Sequence, residues 1–367
     1  MTSQSIHGGD VARIAAELTF PPEQILDFSA NINPRGLPDA ARTKLAAAAR
    51  RPELLLRYPD WETHSLRRLL AQRLSVPLES VLLGTGASAL ITDAVRALRP
   101  AHCMAFIPAF AEYRRACETI ECQFSGIPLH EHNQFSIDVP ECIQILRASR
   151  PDLLIVNNPH NPSGSLASAE AIQSIFDCAA EMQSAVLVDE AFIDYAPAHA
   201  ITTRAARNPG MVAIRSLTKF YGCPGLRIGY AVAHSSIAEQ ITSHVPAWPV
   251  GTLALDVLTS AVSEADYARL TILENEKERC RLAAALSKLG LQPYASAANF
   301  ILVRLLHPWP ASAELRDYLV RRHRILIRNC DSFDGLEPGR YIRLAVLGSA
   351  ENNSLIAALT QIADGLT

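Results

Sequence analysis

One lysine of this sequence stands among side chains that together could hold a phosphorylated aldehyde. Lys219 lies three positions after Ser216 and eight before Arg227. An amine can capture an aldehyde as an imine, and a hydroxyl and a guanidinium can bind a phosphate. Asp189 ends an earlier apolar run, where its carboxylate could keep a ring nitrogen protonated. These four residues predict covalent chemistry on a bound aldehyde.

Pyridoxal 5′-phosphate is the cofactor whose parts match these four residues. Lys219 would hold its aldehyde, Asp189 its pyridine nitrogen, and Ser216 and Arg227 its phosphate. The nearby cationic Arg227 would lower the pKa of Lys219 and leave the amine neutral and reactive. A carboxylate at the end of an apolar strand is costly unless it has a positive partner, which the pyridinium supplies. We therefore predict Lys219 and Asp189 as catalytic residues.

Two turns after apolar runs carry groups suited to the same cofactor. Gly84-Thr-Gly-Ala-Ser88 opens a helical pattern, where backbone N–H groups and small residues can accept a phosphate. Residues 157–164, Asn-Asn-Pro-His-Asn-Pro-Ser-Gly, form a stiff turn that could direct the Asn161 amide at a ring hydroxyl. Either turn could be purely structural. Because both follow predicted strands, we expect them to line one site.

The candidate residues follow short apolar runs that alternate with helical patterns from about residue 80. Continuous apolar strands between helices predict a mostly parallel sheet covered on both faces, with ligands beyond the carboxyl ends of the strands. The predicted strands are residues 81–84, 103–107, 153–156, 185–188, 211–214 and 228–233.

The pattern changes after about residue 250 and predicts a second, smaller α/β domain. A charged helical stretch over 265–289 precedes strand-like runs at 300–304, 325–328 and 341–346. The predicted division is a large cofactor-binding domain over residues 45–250 and a small domain formed by 1–44, with an N-terminal arm, and 251–367.

The composition favours a globular enzyme with a small substrate. The 367 residues are 49% hydrophobic and 19% charged, with a net charge of −3. That charge does not support nucleic acid or an acidic membrane as partner, and no apolar run approaches the ~20 residues that span a bilayer. The polar start, residues 1–10, does not resemble a signal peptide. Eight cysteines without a CxxC pair favour reduced thiols, so we expect a cytoplasmic protein, and we predict no metal site.

The motifs GxGAS, NNPxNPSG, VDEAF and SLTKxxGxxGLRIGY, in this order, resemble those of pyridoxal-phosphate enzymes with the aspartate aminotransferase fold. The resemblance covers nearly the whole chain and implies that fold. It implies that Phe110 stacks on the cofactor ring. It also implies that Tyr58 reaches the phosphate in the neighbouring subunit, and hence a homodimer with shared active sites. The cofactor-binding residues it implies are Gly86, Ala87, Ser88, Phe110, Asn161, Asp189, Ser216, Lys219, Arg227 and Tyr58.

Two branches of this fold compete, the histidinol-phosphate aminotransferases and the threonine-phosphate decarboxylases of cobalamin biosynthesis. Three features resemble the decarboxylases more closely: His7 before two glycines, the segment 26–36, and Phe192 where many aminotransferases have a tyrosine. Each has a structural alternative, namely a tail residue for His7, turn caps for Asn31 and Asn33, and packing for Phe192.

The decarboxylase branch implies conversion of L-threonine O-3-phosphate to (R)-1-amino-2-propanol O-2-phosphate and carbon dioxide. Serine phosphate is an alternative substrate, because one methyl group discriminates by only ~1–3 kcal/mol. Arg343 matches the arginine that takes the α-carboxylate in related transaminases, and Arg328 is the second candidate for an anion. The sequence leaves open which arginine binds which anion. The predicted substrate-binding residues are His7, Asn31, Asn161, Arg328 and Arg343.

Two other classes are disfavoured. A transcription regulator built on this fold would need a basic DNA-binding domain, and the segment before the predicted sheet has no basic cluster. A protein that only binds the cofactor would not need Lys219, Asp189 and Arg227 together.

Overall fold

The computed structural model describes residues 8–60 and 65–366, which form an α/β structure. The helices are α1 (Val11–Leu18), α2 (Asp39–Ala48), α3 (Ser65–Leu74), α4 (Ala87–Leu98), α5 (Ala111–Glu118), α6 (Val139–Ser149), α7 (Ala169–Glu181), α8 (Thr202–Ala205), α9 (Leu217–Phe220), α10 (Ser235–Thr242), α11 (Thr252–Ser263), α12 (Ala265–Lys288), α13 (Ser312–His323) and α14 (Ser349–Asp364). The strands are β1 (Leu26–Asp27), β2 (Val81–Gly84), β3 (His102–Ile107), β4 (Gln123–Pro128), β5 (Leu153–Asn157), β6 (Ala185–Asp189), β7 (Met211–Ser216), β8 (Gly229–Ala233), β9 (Gln292–Pro293), β10 (Phe300–Arg304), β11 (Ile325–Leu326), β12 (Arg328–Asn329) and β13 (Tyr341–Ala345).

The large sheet is mostly parallel, as the sequence predicts. Its strand order is β2-β8-β7-β6-β5-β3-β4, and only β8 runs antiparallel to its neighbours. Successive residues of β5 pack into two different cores: Leu154 and Val156 lie in one, and Leu153 and Ile155 in the other. Because both faces of the sheet are covered by helices, the central strands have continuous apolar runs instead of an alternating pattern.

The edge strand β4 is absent from the predicted set. Only Ile127 of its six residues is buried, so this strand has no continuous apolar run. Its position beside β3 depends on backbone pairing at the sheet edge. The six predicted strands of this sheet are all present, β2 with the predicted bounds and the others with an end shifted by one or two residues.

The second sheet has four antiparallel strands in the order β12-β13-β10-β9. The run 325–328, predicted as one strand, is divided between two sheets. Ile325 and Leu326 pair with β1, whereas Arg328 and Asn329 pair with β13. The change of partner at Ile327 brings Arg328 into the ladder opposite Arg343.

The division into domains over 45–250 and over 1–44 with 251–367 stays a prediction. Helices α2 and α11, which lie next to the predicted boundaries, pack on the large sheet. Ala41 of α2 and Leu255 of α11 share a core with Leu83 and Val232 of that sheet. None of the described helices combines the length and apolar character that spanning a bilayer requires. All eight cysteines are free thiols, and only Cys280 is exposed.

Candidate active site

A cleft of about 270 Å³ lies beyond the carboxyl ends of the parallel strands. It is walled by the loops after β3, β5, β6 and β7, by the N-terminal arm and by the second sheet. The lining residues are Gly8, Ser29, Ala30, Asn31, Ile32, Ser88, Phe110, Asn161, Phe192, Lys219, Arg227, Arg328, Phe333 and Arg343. Eight of the predicted site residues therefore meet in one cavity: Asn31, Ser88, Phe110, Asn161, Lys219, Arg227, Arg328 and Arg343.

Lys219 lies in the short helix α9, which begins directly after β7. Its Nζ is 4.0 Å from the centre of the Phe192 ring, so the amine rests against an apolar surface. Burial lowers the pKa of Lys219 to about 8 against the opposing effect of Asp189, and the cationic Arg343 and Arg227 add to the decrease. The amine is therefore easier to deprotonate than that of an exposed lysine, as expected for a nucleophile.

Asp189, the last residue of β6, is 4% exposed, and its charge acts on Lys219, which lines the cleft. Its Oδ1 accepts a hydrogen bond from the Ala191 N–H at 3.0 Å, and its Oδ2 accepts one from the Tyr113 hydroxyl at 2.6 Å. Burial raises the pKa of Asp189, while Lys219 and Tyr113 oppose that rise. A buried carboxylate with neutral donors on both oxygens fits a positively charged ring nitrogen as its partner.

Tyr113 was missed by the sequence analysis. It lies three residues after Phe110 and therefore on the same side of α5, with the two rings edge to face at 5.8 Å. That spacing was the only available signal, because the contact with Asp189 depends on how α5 packs beside β6.

The predicted phosphate-binding residues surround the first turn of α4. Gly86 has φ +86°, and a Cβ there would lie 3.0 Å from an Arg227 guanidinium nitrogen. Only glycine allows this close approach without strain. Ser216 Oγ lies 3.0 Å from Thr218 Oγ1, a hydroxyl that the sequence analysis did not assign. Helix N–H groups, hydroxyls and a guanidinium together suit a phosphate dianion, so this cradle fits the cofactor.

Asn161 is held by the turn that follows β5. Its N–H donates to Asn157 Oδ1 at 2.7 Å, and Asn157 Nδ2 donates to the Asp189 carbonyl at 2.9 Å. The Asn161 Oδ1 accepts a hydrogen bond from Arg343. The turn therefore has a structural role and also connects the amide of Asn161 to an arginine of the second sheet.

Arg328 and Arg343 are buried side chains, 5% and 6% exposed, at directly opposite positions of β12 and β13. Arg343 donates to the Ser29 carbonyl at 3.0 Å, and Arg328 donates to Ser332 Oγ at 2.6 Å. Burial lowers the pKa of Arg343 to about 10 and also lowers that of Arg328. The Arg343 Nε has no hydrogen-bond partner within residues 8–60 and 65–366. Two desolvated cations at one cleft suit an anionic ligand.

Asn31, a predicted substrate-binding residue, and Asn33, which shares with it the alternative of a turn cap, face different surroundings. Asn31 lines the cleft, and its buried Oδ1 has no hydrogen-bond partner in the described part of the chain. Asn33 Nδ2 instead donates to the Phe220 carbonyl at 2.7 Å and to the Tyr267 hydroxyl oxygen at 2.9 Å. Its Oδ1 accepts from the Arg35 N–H at 3.1 Å, so the turn-capping interpretation holds for Asn33.

Five of the predicted residues that the structure describes are not among those that line the cleft, namely Gly86, Ala87, Asp189, Ser216 and Tyr58. His7 lies outside the described residues, although Gly8 after it lines the cavity and the Gly9 N–H donates to Ser29 Oγ at 2.9 Å. Tyr58 is 75% exposed and stacks on Trp248, with ring centres 4.0 Å apart. A role for Tyr58 in a neighbouring subunit stays a prediction.

The sequence and structure of the chain are similar to those of known proteins. The family model for aminotransferase class I and II matches residues 23–359. A threonine-phosphate decarboxylase of Salmonella typhimurium is 34% identical over 99% of this chain and 98% of its own length. A histidinol-phosphate aminotransferase of Roseiflexus castenholzii is 31% identical over 95% of this chain and 93% of its own. The solved L-threonine-O-3-phosphate decarboxylase of Porphyromonas gingivalis has a TM-score of 0.81 and 26% identity, covering 93% of this chain and 100% of that one.

Proposed function

The chain belongs to the class I and II aminotransferase family, and from this premise we propose that it decarboxylates L-threonine O-3-phosphate. The products would be carbon dioxide and (R)-1-amino-2-propanol O-2-phosphate, the linker of the cobalamin nucleotide loop. The observation that carries the proposal is the pair of buried arginines, Arg328 and Arg343, at one cleft. The substrate bears two anionic groups, a carboxylate and a phosphate, and each guanidinium can bind one of them through two hydrogen bonds.

The cofactor is pyridoxal 5′-phosphate, and the residues of the cleft fit its parts. Lys219 would hold its aldehyde carbon, Asp189 its pyridine nitrogen, and Phe110 and Asn161 its ring. The phosphate-binding set would be Gly86, Ala87, Ser88, Ser216 and Arg227, with Tyr58 contributed by a second subunit. When bound, the cofactor withdraws electrons from the substrate Cα, so that the bond perpendicular to its ring is the one that breaks.

The arginine pair would decide which Cα bond is presented for cleavage. The ladder between β12 and β13 fixes the spacing of Arg328 and Arg343, and Asn161 and Ser29 fix the Arg343 guanidinium. A substrate gripped at both its carboxylate and its phosphate has little freedom to rotate about Cα. Asn31, which lines the cleft, and the predicted residue His7 would add further contacts to the substrate.

Lys219 would return the proton that replaces the carboxylate. Its Nζ opens onto the cleft above Phe192, and its pKa of about 8 lets the amine change protonation near neutral pH. The aromatic walls formed by Phe110, Phe192 and Phe333 limit the access of water to the reacting carbon.

A histidinol-phosphate aminotransferase is the second candidate, favoured by the 31% identity to the Roseiflexus enzyme. Histidinol phosphate carries a phosphate but no carboxylate and would use only one of the two arginines, whereas its co-substrate 2-oxoglutarate has two carboxylates and could use both. Two features favour decarboxylation instead: Phe192 stands where many aminotransferases have a tyrosine, and the Gly8–Gly9 arm contacts the cleft.

The decisive experiment supplies the purified holoenzyme with L-threonine O-3-phosphate and no keto acid. We expect carbon dioxide and aminopropanol phosphate in equal amounts over many turnovers, and a parallel assay with serine phosphate measures the preference for the methyl group. If neither product forms, while histidinol phosphate and 2-oxoglutarate yield glutamate, the decarboxylase proposal is wrong.

A further inference from the structure

The carboxylate of Asp189 accepts a hydrogen bond from Tyr113, a residue to which the proposed function assigns no contact with cofactor or substrate. Tyr113 is 1% exposed, and its hydroxyl donates to Asp189 Oδ2 at 2.6 Å. Burial and the adjacent carboxylate raise the pKa of Tyr113, so the hydroxyl stays protonated and remains a donor. The other oxygen, Oδ1, accepts from the Ala191 N–H. Both oxygens of Asp189 are therefore fixed by neutral donors, one from α5 and one from the turn after β6.

A carboxylate that faces a pyridine nitrogen shares one proton with it. The proton rests on the nitrogen when the carboxylate is the weaker base and on the carboxyl group when it is the stronger one. Hydrogen bonds donated to an ionised carboxylate stabilise its charge and make it a weaker base. The hydroxyl of Tyr113 therefore favours a proton on the ring nitrogen.

Burial acts in the opposite direction and makes this support necessary. Removal from water raises the pKa of Asp189, which favours a neutral carboxyl group. Lys219 on α9 opposes the rise, but its charge changes when its amine holds the cofactor or moves a proton. The hydrogen bond from Tyr113 does not depend on the charge of Lys219 and acts throughout the reaction.

Tyr113 also contacts the residue predicted to stack on the cofactor ring. Its ring meets Phe110 edge to face at 84°, and α5 begins directly after Phe110. Tyr113 therefore contacts both Asp189, which is expected at the ring nitrogen, and Phe110, which is expected at the ring face.

We propose that Tyr113 is a positioning residue that keeps Asp189 ionised and oriented, and thereby keeps the proton on the pyridine nitrogen of the cofactor. The inference rests on the assignment of Asp189 to that nitrogen in the proposed function. It applies equally to decarboxylation and to transamination, because both need a protonated ring to withdraw electrons.

The test is the ¹⁵N chemical shift of the pyridine nitrogen in holoenzyme loaded with ¹⁵N-labelled pyridoxal 5′-phosphate. Tyr113→Phe removes the hydroxyl and keeps the ring, and we expect the shift to move from the pyridinium value toward that of neutral pyridine. Incorporation of 3-fluorotyrosine at position 113 strengthens the donor, and we expect a displacement in the opposite direction. Tyr195→Phe is the matched control, since the buried Tyr195 hydroxyl has no hydrogen-bond partner among the described residues.

An unchanged shift in folded, cofactor-loaded Tyr113→Phe would overturn the inference. If that variant does not fold, the test depends on the protein with 3-fluorotyrosine at position 113. An unchanged ¹⁵N chemical shift in that protein would likewise overturn the inference. A neutral-pyridine value in the wild-type holoenzyme would overturn the assignment of Asp189 as well. Failure of the inference is therefore distinguishable from failure of the assignment on which it rests.

Discussion

Arg328 and Arg343 stand directly opposite each other across the β12–β13 ladder, so that two cations share a buried edge of the cleft. Like charges at opposite positions of a sheet destabilise it, and burial adds a desolvation cost. Arg328 donates a hydrogen bond to Ser332 Oγ, and Arg343 donates to Asn161 Oδ1 and to the Ser29 carbonyl, all of them neutral oxygens. The binding of an anion would make this arrangement favourable, and the sheet holds the two guanidinium groups preorganised for it.

Replacement of either arginine by lysine should separate their roles. Lysine keeps the charge but loses the bidentate geometry, so we expect kcat/KM for threonine phosphate to fall about 10- to 100-fold in Arg328→Lys and in Arg343→Lys. The proposed product (R)-1-amino-2-propanol O-2-phosphate has no carboxylate. As a competitive inhibitor, it should bind more weakly only to the variant that has lost the phosphate-binding arginine.

Arg321→Lys is the control, because this exposed residue lies in the last turn of α13 and outside the cleft. Inhibition constants that stay at the wild-type value in both cleft variants would contradict the proposed binding of the two anions.

The lowered pKa of Lys219 predicts the pH dependence of cofactor capture. Only the neutral amine attacks an aldehyde, and its fraction increases as the pH rises through about 8. The rate at which the cofactor-free protein binds pyridoxal 5′-phosphate should therefore increase up to that pH and then level off. In Arg343→Gln one of the cations that lower this pKa is gone, and the midpoint should move to higher pH. Stopped-flow absorbance measures both curves, and a wild-type midpoint near that of an exposed lysine would refute the prediction.

The parts of the site that follow strand ends could be predicted from the sequence. The strand that holds Asp189 is apolar up to that residue, and the strand that holds Ser216 is apolar over Met211–Ile214, because helices cover both faces of the sheet. Local sequence therefore contains both the strand and the position of the functional side chain. The same holds for the first turn of α4, where Gly86 marks a close approach of the backbone.

The parts that depend on tertiary contacts could not be predicted. The run 325–328 is apolar up to Arg328, and nothing in it indicates that the chain changes sheets at Ile327. Tyr113 likewise has an ordinary helical position, and only the packing of α5 beside β6 brings its hydroxyl to Asp189. The exposed edge strand β4 has too little apolar sequence to be recognised before its neighbour β3 is known.

The exposed stack of Tyr58 on Trp248 leads to a test of the shared active site. If Tyr58 serves the neighbouring subunit, Tyr58→Ala and Lys219→Ala should each abolish activity, but their mixture should regain part of it. Random pairing gives one intact site in each hybrid dimer, or roughly a quarter of the wild-type activity. Activity that does not recover in mixtures, after subunit exchange is verified by mass spectrometry, would mean that Tyr58 has no role across the interface.

Asn31 and Asn33 offer a matched pair of substitutions on one segment with opposite expected effects. Asn33 satisfies the buried Phe220 carbonyl, which lies next to Lys219, and it also contacts Tyr267. Asn33→Ala removes both hydrogen bonds and leaves the Phe220 carbonyl with only the longer one from the Tyr267 hydroxyl at 3.3 Å, so it should cost about 1–3 kcal/mol in the free energy of unfolding. Asn31 Oδ1 has no hydrogen-bond partner among the described residues, so Asn31→Ala should change stability little and raise KM for the phosphorylated substrate.

Denaturant unfolding and steady-state kinetics on the two alanine variants distinguish these effects. A capping role for both residues predicts loss of stability in both variants and unchanged KM in each. We expect the reverse for Asn31, because it lies in the wall of the cleft, where its oxygen can accept a hydrogen bond from a donor group of the substrate. An Asn31→Ala protein with lower stability and normal KM would assign this side chain to the scaffold and remove it from the proposed substrate site.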